Sequence, residues 1–208
     1  MKIRQLPGSK IKLILVEFLL PGMHPLVNLA KKTVEMFIKS GGIIASPTDL
    51  PEEFLTRKSG VFVSIEREGQ LRGCIGTYLP TRNNIAEEVI YNAIAAARED
   101  YRFGQVQEED LSYLTYTVYI LSNPELVKNI FGLDPKEDGV IVRNTPIAPG
   151  ETEVIFDGAI AYKCGILLPD LEGIDTVEKQ ISIACQKAGI DPKTEKFLIY
   201  RFSAKKYH

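Results

Sequence analysis

The chain has 208 residues, 45% of them apolar, with 25 Lys and Arg against 27 Asp and Glu and only three cysteines. A chain of that length buries roughly 70% of the surface its unfolded form exposes, so neither metal nor disulfide staples are needed for a core. A formal charge of −2 lacks the basic excess with which nucleic-acid binders displace counterions, so nucleic acid is a disfavoured partner.

In chain order, residues 1–12 carry Lys2, Arg4, Lys10 and Lys12 with no acid and read as a short basic arm. Ile11 to Leu20 is apolar but too short to span a bilayer and contains Lys12 and Glu17, so it reads as a strand and no membrane segment is expected. From Pro25, a residue suited to a first helical position, apolar side chains recur at three and four residues through Phe37, and Ser40-Gly41-Gly42 ends that helix. Asp49 with Glu52 three residues on suggests a capping box for a second, short helix ending near Ser59-Gly60. The period then changes to two: Val61, Val63 and Ile65 alternate with Phe62, Ser64 and Glu66, Glu68-Gly69 makes a turn, and an extended run restarts at Leu71, which together predict a β-hairpin.

Asn84 with Glu87 opens the strongest helical pattern, and Arg98-Glu99-Asp100 closes it. Strands are predicted at Tyr116 to Leu121, Gly139 to Arg143, Val154 to Phe156 and Ala159 to Leu168, with turns at Asn144-Thr145-Pro146 and Pro149-Gly150. Asp175 with Glu178 begins a last helix that stops at Gly189, and Phe197 to Phe202 forms a final strand. Strands and helices do not alternate as β-α-β units, so an antiparallel α+β fold is expected rather than a doubly wound one. The stretch 125–173 is richer in Pro, Gly and short strands than its flanks, which suggests a smaller inserted subdomain. Residues 1–124 and 174–208 would then form the larger one, with 1–24 as an extension.

Phosphate loops, dinucleotide fingerprints, zinc-protease helices and serine elbows are all absent from the sequence. With His24 and His208 as the only histidines, a histidine-based metal centre is not expected. Cys74, Cys164 and Cys185 are odd in number and lack a Cys-x-x-Cys pair, so no disulfide framework is expected and a reducing cytoplasm fits best. Acid pairs such as Glu87/Glu88 sit at helix beginnings, where they complement the dipole. One constellation is left, Leu71-Arg72-Gly73-Cys74-Ile75-Gly76-Thr77-Tyr78. Simple alternation places Leu71, Ile75 and Thr77 on a core face and Arg72, Cys74, Gly76 and Tyr78 on the other. Gly73 and Gly76 suggest a close approach by backbone or ligand. Arg72 is a candidate binder of an anion or carboxylate, and Cys74 a candidate nucleophile whose thiolate a neighbouring cation would favour. The bland alternative is that Cys74 is a packed core residue. Arg98 and Arg102, in the cluster Arg98 to Phe103 at the helix exit, are further candidates for a binding site.

The hexapeptide LRGCIG at 71–76 resembles the signature of the AMMECR domain family. Gly60 to Ile65, Asn84 to Phe103, Gly139 to Arg143 and Leu167 to Gly189 resemble it too, so the likeness covers the chain from about residue 25 onward. The resemblance implies two unequal α+β subdomains, each with an antiparallel sheet and helices, forming a cleft towards which the hexapeptide looks. No catalytic role comes with it, and no cofactor. Relatives are often encoded near, or fused to, Memo-type and radical S-adenosylmethionine proteins, which suggests an accessory role beside such partners. The chain lacks an iron-sulfur cysteine triad, so radical chemistry would belong to a partner. Two readings follow. One is an enzyme or substrate-binding component using Leu71, Arg72, Gly73, Cys74, Ile75, Gly76, Arg98 and Arg102 on a large ligand. The other is a non-catalytic protein-interaction module.

Overall fold

Helix α1 (Pro25–Ser40) starts where predicted, capped by His24, whose Nδ1 accepts the N–H of Leu26, and closed by Gly41. Its apolar stripe of Leu26, Leu29, Ala30 and Val34 is fully buried against α3 (Ile85–Arg98). Between them lies α2 (Glu52–Thr56); it begins after Pro51 with no side-chain cap, so the expected Asp49 capping box is not formed. The predicted hairpin forms, with β1 (Val61–Arg67) and β2 (Gln70–Thr77) joined through Glu68 and Gly69 at φ 52° and 78°. Two successive residues at positive φ give the turn the twist that antiparallel strands need.

Described by a computed structural model over residues 22–148 and 162–208, the chain divides into two compact units. The expected strand at Ile11 to Leu20, the strand at Val154 to Phe156, the first residues of the run Ala159 to Leu168 and the turn at Pro149-Gly150 lie outside the described residues. The fold is α+β with antiparallel sheets.

Among the described residues, the larger unit takes 22–120 together with 206–208. In its sheet β1 lies between β2 and β3 (Leu114–Leu121), antiparallel to both. Val61, Val63 and Ile65 project from β1 into a core shared with α3, α1 and Val118 and Ile120 of β3. Asn92 of α3 fastens this layer, donating through Nδ2 to the Val61 carbonyl at 3.0 Å. The last residues of the chain return to this unit: Tyr207 stacks on His24 with ring centroids 4.0 Å apart and meets the edge of Phe54, and His208 lies 3.3 Å from the Thr117 hydroxyl.

Among the described residues, the smaller unit takes 121–148 and 162–205 and contains β4 (Glu125–Leu126), β5 (Asp138–Arg143), β6 (Cys164–Leu167), α4 (Val177–Ala188) and most of β7 (Leu198–Tyr207). Here β7 pairs with β4 and β5, and β5 with β6, all antiparallel. This differs from the sequence expectation, which assigned 174–208 to the larger subdomain. Helix α4 belongs with 121–205 because its apolar face, Ala184 and Cys185, packs on Val140, Val142 and Leu167. Gly165 is the contact point: a Cβ there would fall on the Ala184 carbonyl oxygen, so only glycine lets the helix lie this low on the strand. Gln180, fully buried, adds a 2.7 Å hydrogen bond from Nε2 to the Asp138 carbonyl. The α4 cap is Thr176, which accepts the Lys179 N–H, rather than the expected Asp175.

Candidate functional site

Among the described residues the motif strand β2 is an edge strand, and its alternation is broken. Glu66 pairs with Leu71 and Ile65 with Gly73, so Arg72 is an extra residue, a bulge that changes the face of everything before it. The expected core face is corrected accordingly: Leu71 is 43% exposed, while Gly73, the half-buried Ile75 and the buried Thr77 turn towards α3. Tyr78, expected on the open face, is buried. The glycines do mark close approach. A Cβ on Gly73 would strike the Ala96 carbonyl of α3, and one on Gly76 would strike Phe62 and the Val61 carbonyl of the neighbouring strand.

The outer edge of β2 is covered at Cys74 by two side chains from the loop after α3. The Cys74 N–H donates to Asp100 Oδ2 at 2.9 Å, and Arg102 Nη2 donates to the Cys74 carbonyl at 3.3 Å. Arg102 also grips Asp100 through Nε at 2.8 Å and Nη2 at 2.6 Å. The pair stands where a further strand would, one member accepting and the other donating, which closes a sheet edge otherwise open to pairing. Burial pushes the Asp100 carboxyl up, but the Arg102 guanidinium and the N–H groups of Cys74 and Arg102 outweigh it and hold the carboxyl below its ordinary range. The same hydrogen bond raises Arg102.

Arg72 works in the same loop. Its Nη1 donates to the Gly104 carbonyl, its Nη2 donates to the Gln105 carbonyl at 2.8 Å, and the guanidinium lies 3.8 Å from Asp110. Asp110 in turn holds Arg67 at 2.6 Å and accepts the Gln107 N–H at 3.0 Å. The Val106 N–H reaches back to Ala97 at 2.8 Å. The guanidinium that the sequence offers as a candidate anion binder is here engaged with two backbone carbonyls of its own chain. Residues 100–107 are held from several directions, and among them Tyr101 is 95% exposed.

The thiol of Cys74 is half-buried beside this pair. Arg102, itself paired with Asp100, is a cation in electrostatic contact with Cys74. Arg98 is not brought to the motif: it is exposed and lies over the Phe37 ring of α1, 5.7 Å from its centroid. Among the described residues no group of three His, Cys, Asp or Glu side chains is arranged to hold a metal ion, and no helix is long and apolar enough to cross a membrane.

Sequence reasoning assigned Glu88 to the helix dipole and missed its role. The side chain is 1% exposed and accepts four hydrogen bonds: from the hydroxyls of Thr77 and Thr81 at 2.8 Å each, and from the N–H groups of Thr81 and Arg82 at 2.8 and 2.9 Å. One carboxylate thus ties the end of the motif strand to the loop that follows. The signal in the sequence is the pair of threonines before a helix with an acid in its first turn, and nothing local says which of Glu87 and Glu88 points inward.

Acidification tests the edge pair. With its carboxyl held low in the fold, Asp100 contributes stability that is complete above the ordinary carboxylate range and is lost as pH falls through its depressed value. Urea unfolding of wild type and Asp100→Asn is expected to differ clearly at pH 7 and to converge on acidification. A difference independent of pH would show that the carboxylate charge is not what the pair uses.

Comparison with known proteins gives one consistent result. The AMMECR1 family model matches residues 27–207. A Thermotoga maritima protein is 43% identical over 187 residues, covering 89% of this chain and 98% of that protein. A Clostridium acetobutylicum protein is 40% identical over 182 residues, covering 85% of this chain but 35% of a much longer protein. The crystal structure of the uncharacterized protein PH0010 from Pyrococcus horikoshii matches with a TM-score of 0.73 and 31% identity, covering 87% of this chain and 88% of that one.

Proposed function

This chain belongs to the AMMECR1 family, and from that premise we propose that it is an accessory binding component rather than the bearer of a reaction, its motif serving to hold a rigid loop against a protein partner. The observation that carries this reading is the use to which Arg72 of the motif and Arg102 of the loop beside it are put. Arg72 and Arg102 are both engaged by their own chain, and what they hold in place is the exposed Tyr101. A large aromatic side chain left in water on a loop fixed by hydrogen bonds gives contact area with little conformational entropy to lose, which is the character of an interface anchor. Chemistry would then lie with the partner. Proteins of the Memo type and radical S-adenosylmethionine proteins are the classes we propose, and the length of the Clostridium relative supports a role beside another domain.

The test uses purified partners of those two classes in a direct binding assay. Tyr101→Ala is expected to leave folding stability within about 0.5 kcal/mol of wild type, as befits a surface position. It is expected to weaken binding about 30-fold, the effect of an anchor worth about 2 kcal/mol. Unchanged affinity in Tyr101→Ala would defeat the proposal. In a Cys164→Ser background, alkylation of Cys74 at an ordinary thiol rate agrees with it. Fast alkylation that depends on Arg102 would favour the enzyme instead.

A further inference from the structure

Beyond the motif loop, the segment that follows β2 holds an arginine with no anion. The guanidinium of Arg82 lies over the ring of Tyr91, 3.6 Å from its centroid, and this is its only side-chain interaction among the described residues. Arg67, Arg72, Arg102 and Arg201 all lie within 4 Å of a carboxylate; Arg82 does not. Its Nε is buried without a hydrogen-bond partner, while the two terminal nitrogens, equally without one, are not closed off. The flank of the guanidinium is therefore shut and its end-on fork is open.

The mount beneath the fork is fixed. Glu88 accepts the Arg82 N–H at 2.9 Å and both the N–H and hydroxyl of Thr81 at 2.8 Å, and Glu87 accepts the Asn83 N–H at 3.2 Å. These are the acids nearest in the chain, and each is turned to the backbone of the loop, neither within ion-pair distance of the guanidinium. The ring of Tyr91 restrains the side chain and stabilises the cation through its π face. An arginine whose backbone and rotamer are already held loses little freedom on binding, and its planar fork matches two oxygens of one anionic group.

We infer that Arg82 and Tyr91 form a receptor for a two-oxygen anion, a carboxylate or phosphate group carried by a ligand that approaches the loop after the motif strand. The site shares Glu88 with Thr77 of the motif, so a ligand there sits against the segment the motif strand leads into. Its failure would leave the reading of Tyr101 untouched, and the reverse holds too.

The experiment follows the arginine Nε–Hε signals by nitrogen NMR while the whole chain is titrated with sodium phosphate and, separately, with sodium acetate, against sodium chloride at matched ionic strength. A saturable shift of the Arg82 signal, with Arg72 and Arg102 unmoved, is expected from at least one oxyanion. Phosphate alone marks a phosphate-bearing ligand, acetate alone a carboxylate, and both a general oxyanion site. Tyr91→Phe is expected to bind as wild type and Tyr91→Leu more weakly. Followed through backbone amides of residues 81–83, Arg82→Lys is expected to weaken binding about tenfold, because it keeps the charge and loses the fork. The proposal is overturned if neither anion gives a saturable shift up to about 0.1 M, where screening already reduces simple charge attraction. It is overturned equally if Arg82→Lys binds as tightly as wild type.

Discussion

Glu88→Ala is expected to destabilise the larger unit by about 3–5 kcal/mol, while Glu88→Gln is expected to cost about 1 kcal/mol. The difference follows from which donors meet which oxygen. Oε1 receives two hydroxyls, Thr77 and Thr81, and Oε2 receives two backbone N–H groups, Thr81 and Arg82. Alanine leaves all four donors facing a void. Glutamine can place its carbonyl against the N–H groups, which can only donate, and its amide against the hydroxyls, which can turn and accept. Tyrosine fluorescence serves for urea unfolding, since the chain has no tryptophan. Equal losses in the two variants would show that the charge of Glu88 matters more than its acceptor geometry.

Gly73→Ala and Gly165→Ala are expected to have effects of similar size, each about 3 kcal/mol or more, in the larger and smaller units respectively. At both positions a strand glycine lies directly beneath a helix backbone carbonyl, Ala96 in α3 and Ala184 in α4. A methyl group there has no flexible side chain to push aside, so the helix must rise from the sheet and loosen every apolar contact along its face. Gly104→Ala is the matched control: a Cβ at that position meets nothing within 4 Å, and a change within about 0.5 kcal/mol is expected. Thermal and urea unfolding check all three. Tolerance of Gly73→Ala would mean that α3 does not sit on the strand through that glycine.

The helices and the hairpin were legible because their signals are local. Asn84 and Glu87 cap α3 as the spacing states, with Asn84 accepting the Glu87 N–H at 2.9 Å, and Glu68-Gly69 makes the turn it encodes. The motif was legible as a place but not as a mechanism. Strict alternation cannot reveal a bulge, so Leu71 was placed inside although the extra residue at Arg72 turns it out. Nor can sequence say that Asp100 lies against Cys74, since that contact depends on where the loop after α3 turns back. The partner of helix α4 is hidden for a related reason: the periodicity of Ile181, Ala184, Cys185 and Ala188 announces a buried face, and only the fold tells which sheet covers it.

The return of residues 206–208 to the larger unit has a consequence for synthesis on the ribosome. The described residues of the smaller unit all lie between 121 and 205, so all of them have emerged by residue 205. The larger unit has most of its residues in hand far earlier, yet Tyr207 must reach His24 and Phe54 before the end of α1 and the face of α2 are covered. Until then a nascent chain exposes that aromatic seat to solvent and to other chains, and its closure joins residues nearly the whole length of the sequence apart. Completion of the unit begun first is thereby delayed until Tyr207 arrives.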